Sequence, residues 1–416
     1  MSFIERIADS FSAARMARRA DRLARLLGTL ISEKGEATGA ALARRAVALY
    51  RGLDAGGRLR LFDHLARRFS PDRDAVLGAA HAYHADPSAA NLALLQRVAE
   101  PPRQEVFRRM NMAAGGTAAL VQLRADLLQV VKAHPELAAV DHDLTHLLGS
   151  WFNRGFLELK RIDWGTPASV LEKLIEYEAV HEIRGFPDLK RRLERDRRCF
   201  AFFHPALPGE PLIFVEVAFV NEMPSAVAPI LALESAVGDP RQARCAVFYS
   251  ITSCQEGLKG ISFGNFLIKQ VAEDLHAELP KLKLFATLSP VPGLRRWAQQ
   301  RLGDKLPTEA EALQALTAWY LTREWEDGHA MDPVARFHLG NGARLERINP
   351  YADGSPKGEK QSFGIMVNYV YDLGDVEKNH EEYVSRQRVV ASGAVERLAR
   401  EAESMLESPI ARLPAA

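Results

Sequence analysis

Residues 245–269, CAVFYSITSCQEGLKGISFGNFLIK, decide the reading of the fold. Cys245 to Thr252 is short and rich in aromatic and β-branched residues, as strands are. Gly257, Gly260 and Gly264 follow within Gln255 to Asn265, and a helical pattern then runs from Asn265 to Glu278. Strand, glycine-rich turn and helix in succession are the unit from which α/β domains are built. Glycines at such a junction let the chain turn tightly and point amide N–H groups outward at the positive end of a helix, where a pyrophosphate binds. Lys259 adds a point charge. The turn lacks the Gly-Lys-Ser/Thr ending of a Walker A loop and is not GxGxxG. A glycine-rich turn that holds nothing fits the same spacing.

Outward from that unit, Cys199 to His204, Leu212 to Val220, Leu282 to Thr287 and Phe363 to Tyr371 also read as strands. Helical patterns lie between and after them, Glu309 to Glu324 and Val376 to Leu406. Before about residue 160 the texture is different. Ile4, Ile7, Phe11, Leu23, Leu27 and Leu30 recur at helical steps until Gly35. Ala40 to Tyr50, Arg58 to Phe69, Asp72 to Ala85, Pro87 to Val98, Pro102 to Met112 and Gly116 to Ala133 repeat the pattern between helix-ending residues. The expected fold class is therefore α+β and multidomain: an all-helical domain over 1–180 and an α/β domain over 181–416.

A chain of 416 residues suits two or three domains at roughly 150 residues each. Lys plus Arg number 54 and Asp plus Glu 53, which gives no electrostatic case for nucleic acid or an anionic membrane. Cys199, Cys245 and Cys254 are far apart, so neither a disulfide scaffold nor a cysteine zinc site is expected. No apolar run reaches about 18 residues. Arg15, Arg18, Arg19, Arg22 and Arg25 resemble a transit peptide, but Glu5, Asp9 and Asp21 interrupt them, and an amphipathic first helix is the expectation. A soluble, cytoplasmic chain follows.

Two further motifs carry chemistry. Leu288-Ser289-Pro290-Val291-Pro292-Gly293 follows a strand, and its prolines stiffen the turn, holding Ser289 at a strand's C-terminal end. Ser-Pro also starts turns with no further purpose. Phe337-His338-Leu339-Gly340-Asn341-Gly342 places His338 just before an Asn-Gly turn. An ordinary histidine pKa of about 6.5 suits proton donation near neutrality, although most histidines are surface or satisfied core residues. Two other stretches read as polar helix faces. His142 and His146, spaced i, i+4 beside Asp141 and Asp143, lack a third metal ligand. Lys190 to Arg198 contains Glu194 and Asp196, which favours a solvated face over a polyanion site.

Together these motifs resemble the malonyl-CoA decarboxylases. The resemblance rests on Gly257-Leu258-Lys259-Gly260 through Lys269, on Leu288 to Gly293 and on Phe337-His338-Leu339 with Asn341-Gly342-Ala343. Arg198-Cys199, His204, Pro208 to Pro211, Asn349, Asp353 and Met366 to Tyr369 with Tyr371 add to it. It runs over most of the chain and is densest over residues 160–375. The resemblance implies an N-terminal helical domain that self-associates into dimers and tetramers, and a catalytic domain with the fold of GNAT-type acyltransferases. It implies a catalytic serine and histidine at Ser289 and His338, with Tyr371 supporting and His204 contributing. It also implies that Lys259, Gly260, Ile261, Ser262, Phe263, Gly264 and Asn265 cradle the pyrophosphate of coenzyme A. Ser262 departs from the family pattern, in which some relatives carry a glutamate.

The implied reaction turns malonyl-CoA into acetyl-CoA and CO₂. Loss of CO₂ leaves a carbanion beside a thioester, which takes up the charge as an enolate, so no metal or biotin is expected. Ser289 would orient the malonyl group and His338 would protonate the carbon. The alternative on the same fold is an acyl-CoA-dependent N- or O-acyltransferase.

Overall fold

The computed structural model describes residues 3–32, 35–261 and 267–407. The chain divides into two compact units. One comprises Met1–Glu158, Phe203–Leu212 and Gln255–Phe263, and the other Leu159–Phe202, Ile213–Cys254 and Gly264–Ala416. The division falls after Glu158 and not at residue 180, because Glu158–Ile162 already belongs to the sheet. That strand reads ELKRI and buries only Ile162, so its composition resembles a solvated helix turn.

The first unit is helical. Its helices are Phe3–Ser32, Glu36–Arg51, Ala55–Arg68, Arg73–Ala85, Ala89–Ala99, Pro102–Asn111, Gly116–Val130 and Ala138–Trp151. Asp54, Asp72 and Ser88 cap three of them by accepting from Gly57, Ala75 and Asn91 N–H groups, which satisfies donors the helix itself leaves open. Leu23, Leu27 and Leu30 are buried while Arg15, Arg18, Arg22 and Arg25 face water. That is the amphipathic helix its spacing predicts. Asp141 pairs with Arg124, and Asp143 pairs with Arg103 and accepts from Gln104. The acids beside His142 and His146 thus serve ion pairs, and no cluster of three possible metal ligands forms among the described residues.

The second unit is built on β1 (Glu158–Ile162), β2 (Arg197–Phe203), β3 (Pro211–Val220), β4 (Cys245–Ser253), β5 (Leu284–Thr287) and β6 (Ser289–Pro290). A short β7–β8 pair (Trp325–Glu326, His329–Ala330), β9 (Arg344–Asn349) and β10 (Met366–Val370) follow. The sheet runs β1-β2-β3-β4-β5-β10-β6, with β9 also against β10. β4 and β5 are paired parallel, Cys245–Phe248 beside Leu284–Thr287. Leu288 N–H donates to the Phe248 carbonyl at 3.0 Å, and there the pairing ends. The prolines carry the chain away, so β4 runs on from Tyr249 to Ser253 beside β3 alone. One face of the sheet packs Ala218, Val247, Tyr249, Ala286, Leu288 and Met366 into a core. Alternation turns Phe248, Thr287, Ser289 and Tyr369 to the other face.

Two expectations fail for physical reasons. Lys190 to Arg198 is not a solvated face: Lys190 and Arg195 are exposed, but Arg191, Arg192, Arg197 and Arg198 are buried. Arg191 and Arg197 both bind Asp196, Arg192 binds Glu216 at 2.7 Å, and Arg198 binds Glu278. Burial pushes the Glu216 carboxyl up to about 7, while Arg192 beside it pulls the other way. Alternating charges that pair across the fold carry the same pattern as charges that face water. The long final helix is two, Val376–Arg386 and Gly393–Glu407. The first ends at Gln387 (φ 48°), and Val390 beyond it accepts the Leu345 N–H of β9.

Candidate active site

Ser289 follows Thr287 by two residues, and the two share a face of their strands. The Ser289 hydroxyl donates to Thr287 Oγ1 at 2.8 Å, and Thr287 Oγ1 also accepts the Tyr369 N–H at 3.1 Å. The Thr287 carbonyl accepts from Asn368 Nδ2 at 2.7 Å. This ties the end of β5 to β10 where the regular ladder is interrupted. Thr287 and Asn368 have no exposed surface.

His338 comes from the last turn of the helix Pro333–Gly340. The Asn341-Gly342 pair ends that helix instead of making a hairpin. Gly342 N–H donates to the Leu339 carbonyl and Ala343 N–H to that of His338. Gly342 has φ 80°, and a Cβ there would lie 2.0 Å from the Val376 carbonyl oxygen. A left-handed residue closing a helix is the usual glycine role at this place.

The imidazole Nε2 lies 3.0 Å from Ser289 Oγ, and Nδ1 lies 2.8 Å from the Tyr371 hydroxyl. The ring stacks on Tyr369 with centroids 4.6 Å apart. Counting protons assigns the tautomer. The one hydroxyl hydrogen of Ser289 is used on Thr287, so Nε2 donates to Ser289 and Nδ1 accepts from Tyr371. Burial alone depresses the His338 pKa to about 3, and burial holds the Tyr371 phenol well above its ordinary value. At neutral pH the row Tyr371, His338, Ser289, Thr287 is uncharged and every hydrogen bond runs one way.

The glycine loop belongs to the first unit. Arg124 Nη1 donates to the carbonyls of Gly257 (2.9 Å) and Lys259 (2.8 Å). A Cβ on Gly257 would lie 1.9 Å from the Val121 carbonyl oxygen, so that glycine exists for close approach to the helix Gly116–Val130. Gly260, with φ 76°, meets nothing within 4 Å and is the glycine that shapes the turn. Lys259 is exposed and Ile261 buried.

The chain is similar to known proteins over most of its length. The family model for the C-terminal domain of malonyl-CoA decarboxylase matches residues 155–309 and 302–408, and that for its N-terminal domain matches 69–152. The mitochondrial malonyl-CoA decarboxylase of Anser anser anser is 36% identical over 411 residues, covering 84% of this chain and 81% of its own. That of Mus musculus is 33% identical over 414 residues, covering 83% and 82%. The crystal structure of malonyl-CoA decarboxylase from Rhodopseudomonas palustris superposes with TM-score 0.85 at 48% identity, covering 91% of this chain and 99% of its own. The Agrobacterium vitis structure gives 0.84 at 46% identity, with the same coverage.

The chain belongs to the malonyl-CoA decarboxylase family.

Of the residues that resemblance to malonyl-CoA decarboxylase singled out, Ser289 and Tyr371 both lie within hydrogen-bond distance of His338. His204 lies in the first unit, its ring against Phe152 (4.6 Å) and Phe156 (5.9 Å), with Nδ1 accepting the Ala206 N–H. Ser262, Phe263, Gly264 and Asn265 lie outside the described residues. The sequence reading missed Thr287, which its place two residues before Ser289 on a strand could have flagged. It also missed Asp332, whose Asp-Pro step marks a helix start. No helix is long and apolar enough to cross a membrane among the described residues.

Proposed function

We propose that this carboxy-lyase of the malonyl-CoA decarboxylase family releases CO₂ from malonyl-CoA to leave acetyl-CoA, with Ser289 and His338 as the reacting pair. The observation that carries the proposal is the buried Tyr371–His338–Ser289 row at 2.8 and 3.0 Å. The bond from the α-carbon to the carboxyl carbon breaks, and its electron pair becomes a thioester enolate as CO₂ leaves. Ser289 turns its hydroxyl from Thr287 to the malonyl group and gives its proton to the carbon. His338 Nε2–H restores the serine, and the Tyr371 hydroxyl restores the imidazole through Nδ1. Each donor gives one proton and takes one, so the row passes the deficit from the carbon to Tyr371. Water then supplies the one proton consumed per turnover.

This reading revises the role of His338. Burial removes the imidazolium expected near neutrality, and the histidine works as a neutral donor. An enolate carbon is basic enough to take a proton from such a donor. A positioned proton donor contributes roughly 10²- to 10⁴-fold, and a donor aimed at the enolate oxygen about 10²- to 10³-fold. No step uses a metal or biotin. The β4 edge from Tyr249 to Ser253 offers backbone groups to an extended, amide-bearing arm such as that of coenzyme A. Lys259 to Asn265 are proposed to hold the pyrophosphate, and the helical unit, with Leu77 and Leu92 exposed, to carry self-association.

The test is CO₂ and acetyl-CoA formation from malonyl-CoA without metal, biotin or acceptor, for wild type beside His338→Asn. Stoichiometric products from the wild type alone, with coenzyme A binding unchanged within about threefold, support the proposal. Release of coenzyme A thiol without CO₂, and only when an amine or alcohol acceptor is added, would transfer the site to acyl-transfer chemistry.

A further inference from the structure

Ser289 and His338 come from different elements, and their 3.0 Å separation needs something that joins those elements. Asp332 does so with a single carboxylate. Its Oδ1 accepts the N–H groups of Val334 (2.9 Å) and Ala335 (3.0 Å), capping the helix that carries His338. Its Oδ2 accepts the Gly293 N–H at 3.2 Å, at the far end of the turn that carries Ser289. Pro290 and Pro292 leave that turn few free dihedrals, so fixing Gly293 restrains Ser289. A Cβ on Gly293 would lie 2.1 Å from the Tyr320 hydroxyl and 3.4 Å from Asp332 Oδ2, so the contact depends on glycine.

We propose that Asp332 is a positioning residue of the decarboxylase site, holding the Ser289 turn and the His338 helix in register through these three hydrogen bonds. The inference rests on the reading of Ser289 and His338 as the reacting pair. Both carboxylate oxygens are needed as acceptors. Asparagine offers one oxygen and would turn an NH₂ group toward a backbone donor. Serine caps a helix but is too short to reach Gly293. Asp332 is buried, and burial raises its pKa to about 6 against the pull of its three N–H donors. The groups facing it are Tyr320 from the helix Ala310–Arg323, Tyr369 from β10 and Arg336 on its own helix. Burial keeps both phenols protonated, and a guanidinium stays charged. Asp332 is thus the member of this group that changes charge between pH 5 and 7, and its protonation as pH falls removes an acceptor from the tie.

The experiment compares full-length wild type, Asp332→Ser, Ser289→Ala and His338→Asn in CO₂ release from malonyl-CoA between pH 5 and 8. Asp332→Ser is expected to lower kcat about 10- to 100-fold at pH 7.5, the cost of a displacement on the order of 1 Å, with KM within about threefold. The wild-type kcat is expected to fall below about pH 6, and that fall is expected to be absent from Asp332→Ser. A residue important only for folding would not remove the acid limb. Wild-type kcat in Asp332→Ser, or a lowered kcat with the acid limb unchanged, overturns the inference. If the serine variant does not fold, the wild-type profile decides, and a kcat flat from pH 7 to 5 overturns it. Full activity of Ser289→Ala and His338→Asn would instead overturn the assignment of the pair.

Discussion

The Tyr371 hydroxyl donates to Nδ1 of His338 across 2.8 Å, so a phenol, not a carboxylate, orients the imidazole. A carboxylate there would hold the ring as an imidazolium. A phenol kept protonated by burial favours the neutral ring, and it fixes the tautomer that offers Nε2–H to Ser289.

Tyr371→Phe keeps the ring that Phe248 meets edge-on at 6.3 Å and removes the donor. We expect kcat to fall roughly 10- to 100-fold with KM little changed, since the lost hydrogen bond acts on proton supply and not on substrate binding. Steady-state kinetics on the purified variant check this.

The protonation of His338 has a consequence for stability. Its pKa is about 3 in the folded chain against an ordinary 6.5, so as pH falls the unfolded chain takes up the proton first. The stability that the neutral ring confers is complete above pH 6.5 and is lost as pH falls toward 3. Between pH 7 and 4.5 this removes on the order of 2–3 kcal/mol from wild type and nothing from His338→Asn. Urea unfolding at the two pH values should show the difference between the proteins shift by that amount in favour of the variant at pH 4.5.

Thr287→Val deletes the acceptor of the Ser289 hydroxyl and of the Tyr369 N–H with little change in shape. It leaves a buried N–H unpaired, at about 1–3 kcal/mol. We expect lower stability and a kcat reduced about tenfold or more, with Thr287→Ser restoring most of both. A full rescue of stability without rescue of kcat would separate the two roles of this hydroxyl.

How much of this was legible depends on where the information lies. Ser289 and His338 sit in local motifs that an ordinary turn or a satisfied histidine fits as well, and Tyr371 stood out through the family resemblance alone. Thr287 and Asp332 gain their importance from partners 82 and 39 residues away, Tyr369 and Gly293, and no spacing along the chain reports that. The helices of the first unit were visible from their apolar stripes. Strand β9, Arg344–Asn349, was not, because RLERIN alternates like a solvated segment while β10 covers it. Lys190 to Arg198 failed for the same reason, since a charge pattern is blind to whether its partners are water or Glu216.

The glycine loop separates two roles that its composition merges. Gly257→Ala would drive a Cβ to 1.9 Å from the backbone oxygen of Val121, which cannot rotate away. Overpacking against backbone costs typically about 1–3 kcal/mol or more. Thermal unfolding should therefore register it, as a lowered Tm in the absence of any ligand. Lys259 is exposed, and its backbone carbonyl, which any residue supplies, is what Arg124 binds. Lys259→Ala should leave Tm unchanged within about 1 °C, because surface substitutions usually fall within ±0.5 kcal/mol. If the loop holds a pyrophosphate, the lost charge should raise KM for malonyl-CoA several-fold at low salt, and the effect should shrink as ionic strength rises. An unchanged KM at low salt would leave Gly257 as a packing residue and remove Lys259 from the substrate.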